Sequence, residues 1–283
     1  MSIRELIKKE EILILPGIYD ALTAKIAEKA GFKGILMGGY SISATRLGQP
    51  DVGFLTMSEM ASQIKIISDA VDIPLIADGD TGYGNPLNVM RTVREYEKAG
   101  ASGIILEDQQ WPKRCGHMEG KQVIPKEEHI KKIEAALEAR SSTEFVIIAR
   151  TDSLAVTGIE EAVERGKAYR DAGADVVFIE APRSLEELSI IRKSIRDVPL
   201  VANIIEGGKT PYLSARALKE MGYEIMFCGL TAVLVIAKAF MEAMTYLKRE
   251  GSTQGWLERM YTFSEFNELI GIKEFSILEN RYK

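Results

Sequence analysis

The chain alternates short apolar runs with longer stretches in which apolar residues recur at helical spacing. Eight of the short runs are rich in β-branched residues, and they cover residues 12–17, 34–39, 74–79, 103–108, 145–152, 176–180, 199–204 and 224–229. Continuous apolar runs are typical of strands that are covered on both faces, whereas the spacing within 159–169 is that of an amphipathic helix. The pattern therefore predicts eight strands separated by helices.

Strands and helices that alternate without long polar linkers form a parallel sheet joined by crossover helices. Eight such units in 283 residues predict an α/β protein, a single (β/α)8 TIM barrel over residues 1–283. Four predicted helices end in a glycine suited to a left-handed stop, at Gly31, Gly100, Gly173 and Gly222. Residues 231–283 contain more helix than a barrel needs to close. We expect this C-terminal helical extension to pack against a partner subunit or to swap with it.

Composition and charge exclude several classes of protein. Lys and Arg total 36 against 41 Asp and Glu, and the net charge of -5 provides no basic field for a nucleic acid. The two cysteines are too few for a disulfide framework. The longest apolar run, at 230–240, is interrupted by Lys238 and is shorter than the ~20 residues needed to cross a bilayer. We expect a cytoplasmic protein with neither a nucleic acid nor a membrane partner.

Acidic residues lie where three of the predicted strands end. Asp78 and Asp80 belong to a Gly-rich turn after the third strand, Glu107 lies at the end of the fourth, and Glu180 ends the sixth. In a TIM barrel the carboxyl ends of the strands carry the catalytic groups, and carboxylate oxygens are ligands that Mg²⁺ prefers. The alternative is that Asp78 and Asp80 only cap the following turn and helix. Spacing alone leaves both interpretations open.

A cationic residue and a polar lid complete the candidate site. Arg150 follows an apolar strand, where its guanidinium needs a carboxylate partner, either across the barrel mouth or on a substrate. The segment 107–125 is too polar and Gly-rich for a core helix and is long enough to act as a lid. Within this segment Cys115 has basic residues within two positions on both sides, which predicts a positive microenvironment that favours the thiolate.

Other polar residues give weaker signals. Asn203 ends the seventh strand and is followed by a Gly-rich loop, 206–211, suited to an anionic ligand. Cys228 lies in an apolar run and is predicted to be a buried, inert thiol. His129 lies at the start of a predicted helix and is expected on the surface. No Cys-x-x-Cys or His pair indicates zinc.

Four motifs, in this order, resemble those of the isocitrate lyase and phosphoenolpyruvate mutase superfamily. They are Asp-Gly-Asp-Thr-Gly-Tyr-Gly at 78–84, Glu-Asp-Gln at 107–109, Lys-Arg-Cys-Gly-His at 113–117 and Arg-Thr-Asp at 150–152. The third motif is the specific one. The methylisocitrate and dimethylmalate lyase branch carries its cysteine, whereas the mutase and phosphonopyruvate hydrolase branches lack it. The resemblance covers nearly the whole chain.

The resemblance implies a metal site and a homotetrameric assembly. Mg²⁺, or alternatively Mn²⁺, would be bound by Asp78, and three further carboxylates would reach it through water, those of Asp80, Glu107 and Asp51. The substrate implied is a small carboxylic acid with a 2-oxo or 2-hydroxy end. Its binding residues would be Gly38, Gly39, Gly116, His117, Arg150, Glu180, Asn203 and Glu206.

The resemblance also implies carbon–carbon cleavage of a 2-hydroxy acid. The hydroxyl proton is lost, a 2-oxo acid such as pyruvate forms, and the departing enediolate takes up a proton. Cys115 would supply that proton after lid closure, and Arg150 would neutralise charge on the 2-oxo acid. Tyr40 is the candidate base.

Departures from the methylisocitrate branch predict the substrate. Leu234 and Phe263 stand where that branch has two arginines for a third carboxylate, and a buried carboxylate without a cation is costly. We therefore expect 2,3-dimethylmalate or another alkylmalate rather than 2-methylisocitrate. The loop 206–211 also resembles carboxyphosphonoenolpyruvate mutases. The alternatives are oxaloacetate decarboxylation, phosphonate mutase chemistry and, outside catalysis, a metabolite-binding barrel.

Overall fold

Eight parallel strands form a closed barrel in the computed structural model, which describes all 283 residues. The strands are β1 (Leu13–Ile18), β2 (Ile35–Met37), β3 (Leu75–Asp78), β4 (Gly103–Glu107), β5 (Val146–Thr151), β6 (Val176–Ile179), β7 (Leu200–Asn203) and β8 (Ile225–Cys228). Each strand pairs with the next in chain order, and β8 pairs with β1. The predicted TIM barrel is therefore confirmed. Seven of the eight observed strands lie within their predicted runs, and β1 extends one residue past its run.

Helices connect consecutive strands and continue beyond the last one. They are α1 (Ile3–Lys9), α2 (Ala21–Lys29), α3 (Gly39–Ile42), α4 (Met57–Ser68), α5 (Pro86–Ala99), α6 (Lys126–Ala139), α7 (Leu154–Thr157), α8 (Ile159–Asp171), α9 (Leu185–Ser194), α10 (Ala215–Glu220), α11 (Thr231–Glu250), α12 (Phe263–Leu269) and α13 (Ile272–Arg281). The four glycines predicted as helix stops are left-handed, with φ between +90° and +101°. We call the connection 108–125, between β4 and α6, the lid.

Apolar side chains fill both the inside of the barrel and the layer between strands and helices. One cluster joins residues from all eight strands to Ile3 and Leu6 of α1, and Phe178 and Phe227 pack edge to face there at 5.7 Å between ring centroids. Two larger clusters lie among strands and surrounding helices. Because the strands are covered on both faces, their carboxyl ends and the connections that follow them are the places where polar groups gather.

The helices after β8 leave many apolar side chains exposed on the single chain. Val235, Phe240 and Met241 of α11 are exposed, as are Phe263 of α12 and Phe275 of α13. The swap of this extension within a homotetramer stays a prediction. None of the helices combines the length and apolarity that crossing a membrane requires.

The expected surface position of His129 is wrong. The imidazole lies on the inner face of α6, is fully buried, and packs edge-on against the Tyr169 ring at 4.7 Å between centroids. Burial lowers the pKa of His129 to about 3, and the nearby charges of Lys132 and Arg165 act in the same direction. Most of the charged residues of α6 lie on its outward face, whereas His129 lies on its inward face. The position of His129 near the start of the helix did not reveal which face it occupies.

Acid is expected to destabilise the fold through His129. The folded pKa, about 3, lies below the unfolded value near 6.5, so the unfolded chain binds more protons between these limits and stability falls as the pH decreases through them. The loss from this group reaches about 2 kcal/mol by pH 5. Urea unfolding at pH 7 and pH 5 should therefore show a smaller pH dependence for His129→Leu than for the wild type. Equal pH dependence in the two proteins would contradict the assignment.

Candidate active site

The carboxyl ends of the strands surround one pocket that gathers most of the candidate residues. Its polar lining comes from six strands or the loops after them and from the lid, and it includes Gly38, Gly39, Tyr40, Asp51, Asp78, Glu107, Cys115, Gly116, His117, Arg150, Glu180 and Asn203. Apolar side chains of the barrel interior form its floor. Asp80 lies behind this lining, and Glu206 lies outside it.

The aspartates after β3 do not cap the next helix. Asn85 caps α5, with its side chain accepting hydrogen bonds from the backbone of residues 87 and 88. Asp78 instead accepts the backbone N–H of Gly39 at 3.0 Å and that of Asp80 at 2.9 Å. Helix capping is therefore excluded for this pair, whereas Asp78 does hold the turn through the Asp80 N–H, and its carboxylate also ties the end of β3 to the residue that begins α3 after β2.

A buried lysine of the lid lies among the acidic side chains. Lys113 Nζ is 2.6 Å from Asp51 Oδ1 and 2.7 Å from Asp80 Oδ1, and its side chain is almost inaccessible to solvent. Burial alone would lower its pKa, but the surrounding carboxylates raise the pKa of Lys113 well above its ordinary value. The lid therefore places a fixed positive charge inside the carboxylate cluster.

The cluster nevertheless contains more acidic than basic side chains, and the acids are crowded. Burial raises the pKa of Asp80, and the charges of Asp78 and Asp51 raise it further against the opposing effect of Lys113. Burial likewise raises the pKa of Glu107 well above its usual range. Glu107 Oε1 is buried without a hydrogen-bond partner. Such a donor set fits a divalent cation.

The carboxylates do not form a complete metal cage by themselves. No three Asp, Glu, His or Cys side chains converge closely enough to coordinate one ion. Mg²⁺ usually keeps several waters and uses one or two protein carboxylates. The arrangement therefore fits direct binding by one or two side chains, with the other carboxylates reached through water.

Arg150, at the end of β5, is the centre of a buried ion-pair network. Its Nε lies 2.8 Å from Asp152 Oδ2, and its Nη2 lies 3.0 Å from Asp152 Oδ1. The same Nη2 is 3.3 Å from Glu107 and 3.4 Å from Glu180. Burial alone would raise the pKa of Asp152, but Arg150 and Lys121 bring it down to about 2. Arg150 therefore forms the ion pairs across the barrel mouth that the first alternative predicted. It also lines the pocket, where it could bind a substrate carboxylate as the second alternative predicted.

A second buried carboxylate supports this network from behind. Asp108 Oδ1 accepts the backbone N–H of Asp152 at 2.9 Å. Its Oδ2 accepts hydrogen bonds from the hydroxyls of Thr151 and Tyr169 and from Arg165, at 2.7 to 2.9 Å. Asp108 is thus shared between β5 and α8, and it fixes the backbone from which Asp152 reaches Arg150.

The predicted thiolate environment of Cys115 is wrong. Burial raises the pKa of its thiol to about 11, and the charges of Asp51 and Glu180 act in the same direction. The basic neighbours are directed elsewhere, since Lys113 faces Asp51 and Asp80. The Cys115 thiol is therefore protonated at neutral pH, which is the form a proton donor requires.

The remaining polar residues surround Glu180. His117 Nδ1 accepts the backbone N–H of Lys209 at 3.0 Å, which leaves Nε2 as the protonated nitrogen, and Nε2 lies 3.3 Å from Glu180 Oε1. Asn203 Nδ2 donates to Glu180 Oε2 at 3.3 Å. Burial raises the pKa of Glu180, but Arg150 and His117 outweigh this effect, and the net pKa is lowered.

Glu206, which was predicted to bind the substrate, lies outside the pocket in this chain, and so do the two residues at the matched arginine positions. Glu206 accepts a hydrogen bond from Thr231 at 2.5 Å and lines an apolar groove between β1 and α11 rather than the pocket. Leu234 is 40% exposed and Phe263 is 86% exposed, and neither reaches the pocket. The side chain of Glu206 is directed at Thr231 instead of the pocket, which the polar composition of the loop did not reveal.

Sequence reasoning overlooked three charged residues of the site. Lys113 and Lys121 both lie in the lid, where lysines are usually solvated, yet both are buried against carboxylates. Asp152 was noted only as part of a motif. The two lysines could have been found from their position. A polar lid that folds over acidic strand ends brings its lysines close to those acids.

Comparison with known proteins agrees with this geometry. The family model described as phosphoenolpyruvate phosphomutase matches residues 3–248. The chain is 47% identical over 281 residues to 2,3-dimethylmalate lyase of Eubacterium barkeri, covering 99% of this chain and 97% of the relative. A crystal structure of 2,3-dimethylmalate lyase superposes with a TM-score of 0.93 at 37% identity, covering 99% of this chain and 93% of that one.

A second similar structure contains a metal. Phosphonopyruvate hydrolase, solved in complex with oxalate and Mg²⁺, superposes with a TM-score of 0.89 at 34% identity, covering 99% of this chain and 97% of that one. The lyase relatives confirm the interpretation of the sequence as a carbon–carbon lyase. From its barrel, its strand-end motifs and these matches, the chain belongs to the phosphoenolpyruvate mutase/isocitrate lyase superfamily.

Proposed function

We propose that this protein is a Mg²⁺-dependent lyase that cleaves a 2-hydroxy dicarboxylate of the 2,3-dimethylmalate or alkylmalate type between C2 and C3. One observation carries the proposal. A protonated thiol, Cys115, lines the same pocket as Arg150 and the carboxylates of Asp78 and Glu107. Rearrangement of a phosphonate needs no proton donor, whereas carbon–carbon cleavage must protonate the departing fragment.

The carboxylate cluster is the proposed metal site. Asp78 would bind the ion directly, with Glu107, Asp80 and Asp51 around it, and the crowding of buried acidic side chains, including the unpartnered Glu107 Oε1, favours a divalent cation, Mg²⁺ or Mn²⁺. When bound, the ion supplies charge stabilisation and lowers the pKa of the substrate hydroxyl. The Mg²⁺ in the related phosphonopyruvate hydrolase structure supports this proposal.

The residues of this chain account for the remaining steps. The hydroxyl proton leaves to a base, for which Tyr40 in the pocket is the candidate, acting as the phenolate and becoming the hydroxyl when it accepts the proton. The electron pair of the C2–C3 bond passes to the departing fragment, which becomes an enediolate, while C2 becomes a carbonyl carbon. The Cys115 proton then passes to the former C3, and Arg150 neutralises the 2-oxo acid carboxylate. Cleavage of 2,3-dimethylmalate by this route yields pyruvate and propionate.

The pocket favours a dicarboxylate over a tricarboxylate. Its two buried cations, Lys113 and Arg150, already face two or more carboxylates each. The apolar side chains of Ile205 and Leu230 line the same pocket and suit the methyl groups of an alkylmalate. The similarity to 2,3-dimethylmalate lyase supports this substrate class.

Substrate preference is the direct test of the proposal. Pyruvate release should be fastest with 2,3-dimethylmalate or a similar alkylmalate, and kcat/KM for 2-methylisocitrate should be lower because the buried cations are already paired. Coupled assay of pyruvate on a panel that includes oxaloacetate would measure this. A higher kcat/KM for the tricarboxylate would contradict the substrate class, and turnover of oxaloacetate alone would favour decarboxylation.

Metal removal is expected to abolish turnover. Protein treated with EDTA should be inactive, and Mg²⁺ or Mn²⁺ should restore activity, because the ion stabilises developing charge. Asp78→Ala should also be inactive while its circular dichroism spectrum stays that of the wild type. Full activity in excess chelator would remove the metal from the proposal.

Replacement of the lid thiol separates the lyase from the alternatives. We expect Cys115→Ser to lower kcat by roughly 10² to 10⁴, since a serine hydroxyl is a much weaker acid than a thiol. Cys228→Ser is the matched control, because Cys228 ends β8 outside the pocket and should keep near-normal turnover. Near-normal turnover by Cys115→Ser would show that the thiol is not the proton donor, and it would remove the observation that favours the lyase over decarboxylase or mutase chemistry.

A further inference from the structure

Lys121, in the second half of the lid, is a buried lysine that the proposed reaction does not use. Its ammonium lies 2.9 Å from Asp152 Oδ1, and the two side chains are 1% and 0% exposed. The same ammonium donates a hydrogen bond to the carbonyl oxygen of Gly116. Two groups therefore hold Lys121 in place: one belongs to the lid itself, and the other belongs to the strand end that carries Arg150.

These contacts close a ring around the reacting groups. Asp152 binds Arg150 through two hydrogen bonds, and Arg150 lies directly against Gly116. A Cβ on Gly116 would lie 2.4 Å from Arg150 Nη2, so the lid backbone has no room to shift toward the guanidinium. The ring runs from Gly116 to Lys121, Asp152, Arg150 and back to Gly116, and Cys115 is the residue before Gly116.

We propose that Lys121 is a positioning residue that latches the lid and, through the shared carboxylate of Asp152, couples the placement of Cys115 to the orientation of Arg150. The roles of Cys115 as proton donor and Arg150 as carboxylate partner rest on the proposed function, whereas the contacts of Lys121 do not. Opening the lid withdraws the ammonium from Asp152, so that the carboxylate keeps one cation instead of two. Closing the lid returns that cation and fixes the proton donor and the guanidinium together.

Burial makes this contact different from an ordinary surface ion pair. Removing one member of a buried pair leaves the other charge desolvated and incompletely neutralised, whereas exposed pairs contribute little. The lid provides a matched comparison. Glu119, two residues before Lys121, contacts Lys209 across the same gap between the lid and the barrel, but Glu119 is 80% exposed. Both contacts join the lid to the barrel, yet only the Lys121 contact reaches Arg150.

Alkylation of Cys115 tests the latch without any substrate. Iodoacetamide labelling of the two cysteines, resolved by peptide mass spectrometry, should be about tenfold or more faster at Cys115 in Lys121→Met than in the wild type, because labelling follows the open population of the lid. Glu119→Gln should label within about twofold of the wild type, as expected for an exposed pair. Cys228 serves as the internal reference, since its rate should not change among the three proteins.

Kinetics and chemical rescue separate positioning from a purely structural role. We expect Lys121→Met to lower kcat on the order of 10- to 100-fold, since misplacement of reacting groups by about 1 Å has costs of that size, while Glu119→Gln keeps kcat. Ethylammonium should restore part of the kcat of Lys121→Ala, which leaves space for it, and none of that of Lys121→Met. Ethylammonium should also slow the labelling of Cys115 in Lys121→Ala.

The outcomes distinguish this inference from the proposed function. If the wild type turns over no alkylmalate but Lys121→Met labels Cys115 faster, the function fails and the latch stands. If Lys121→Met and Glu119→Gln label Cys115 at the wild-type rate, the latch is overturned whatever the substrate is. If Lys121→Met does not fold, Lys121→Gln, which keeps a hydrogen-bond donor without the charge, should show the same direction of change, and wild-type labelling there would overturn the proposal.

Discussion

The site depends on keeping one buried guanidinium charged and fixed at the mouth of the barrel. Arg150 meets this constraint because Asp152 binds it through two hydrogen bonds and two glutamates approach its Nη2 atom. A buried charge with a single partner is costly, and additional carboxylates reduce that cost only if the backbone holds them at the right distance. The carboxyl ends of β4, β5 and β6 provide that backbone.

The supporting layer behind these strand ends is as polar as the site itself. Asp108 accepts four hydrogen bonds, from β5, α8 and the start of the loop after β5, and it is completely buried. It therefore orients Asp152 from the side opposite to the pocket. A second set of hydrogen bonds of this kind fixes the groups that contact a binding side chain, and so it fixes the position of that side chain.

The sequence predicted local features well and long-range partners poorly. Every strand and the four left-handed glycines followed from periodicity and from the conformational freedom of glycine, which are local properties. The environment of Cys115 depends on where its basic neighbours are directed, and the burial of His129 depends on which face of α6 meets the barrel. Lys121 and Asp152 are 31 residues apart. No local pattern could pair them, although the motifs placed most of the other residues in one pocket.

The half-buried thiol of Cys115 has a consequence for chemical damage. Oxidation by peroxide begins with the thiolate, and a thiol whose pKa is raised to about 11 contains very little thiolate at neutral pH. Because its pKa is raised, Cys115 gives up its proton only to a strong base such as the carbon of the enediolate. For the same reason, Cys115 resists sulfenic acid formation while the lid is closed. Exposure to oxidants would then damage the protein mainly during the intervals when the pocket is open, so occupancy by product would protect the enzyme.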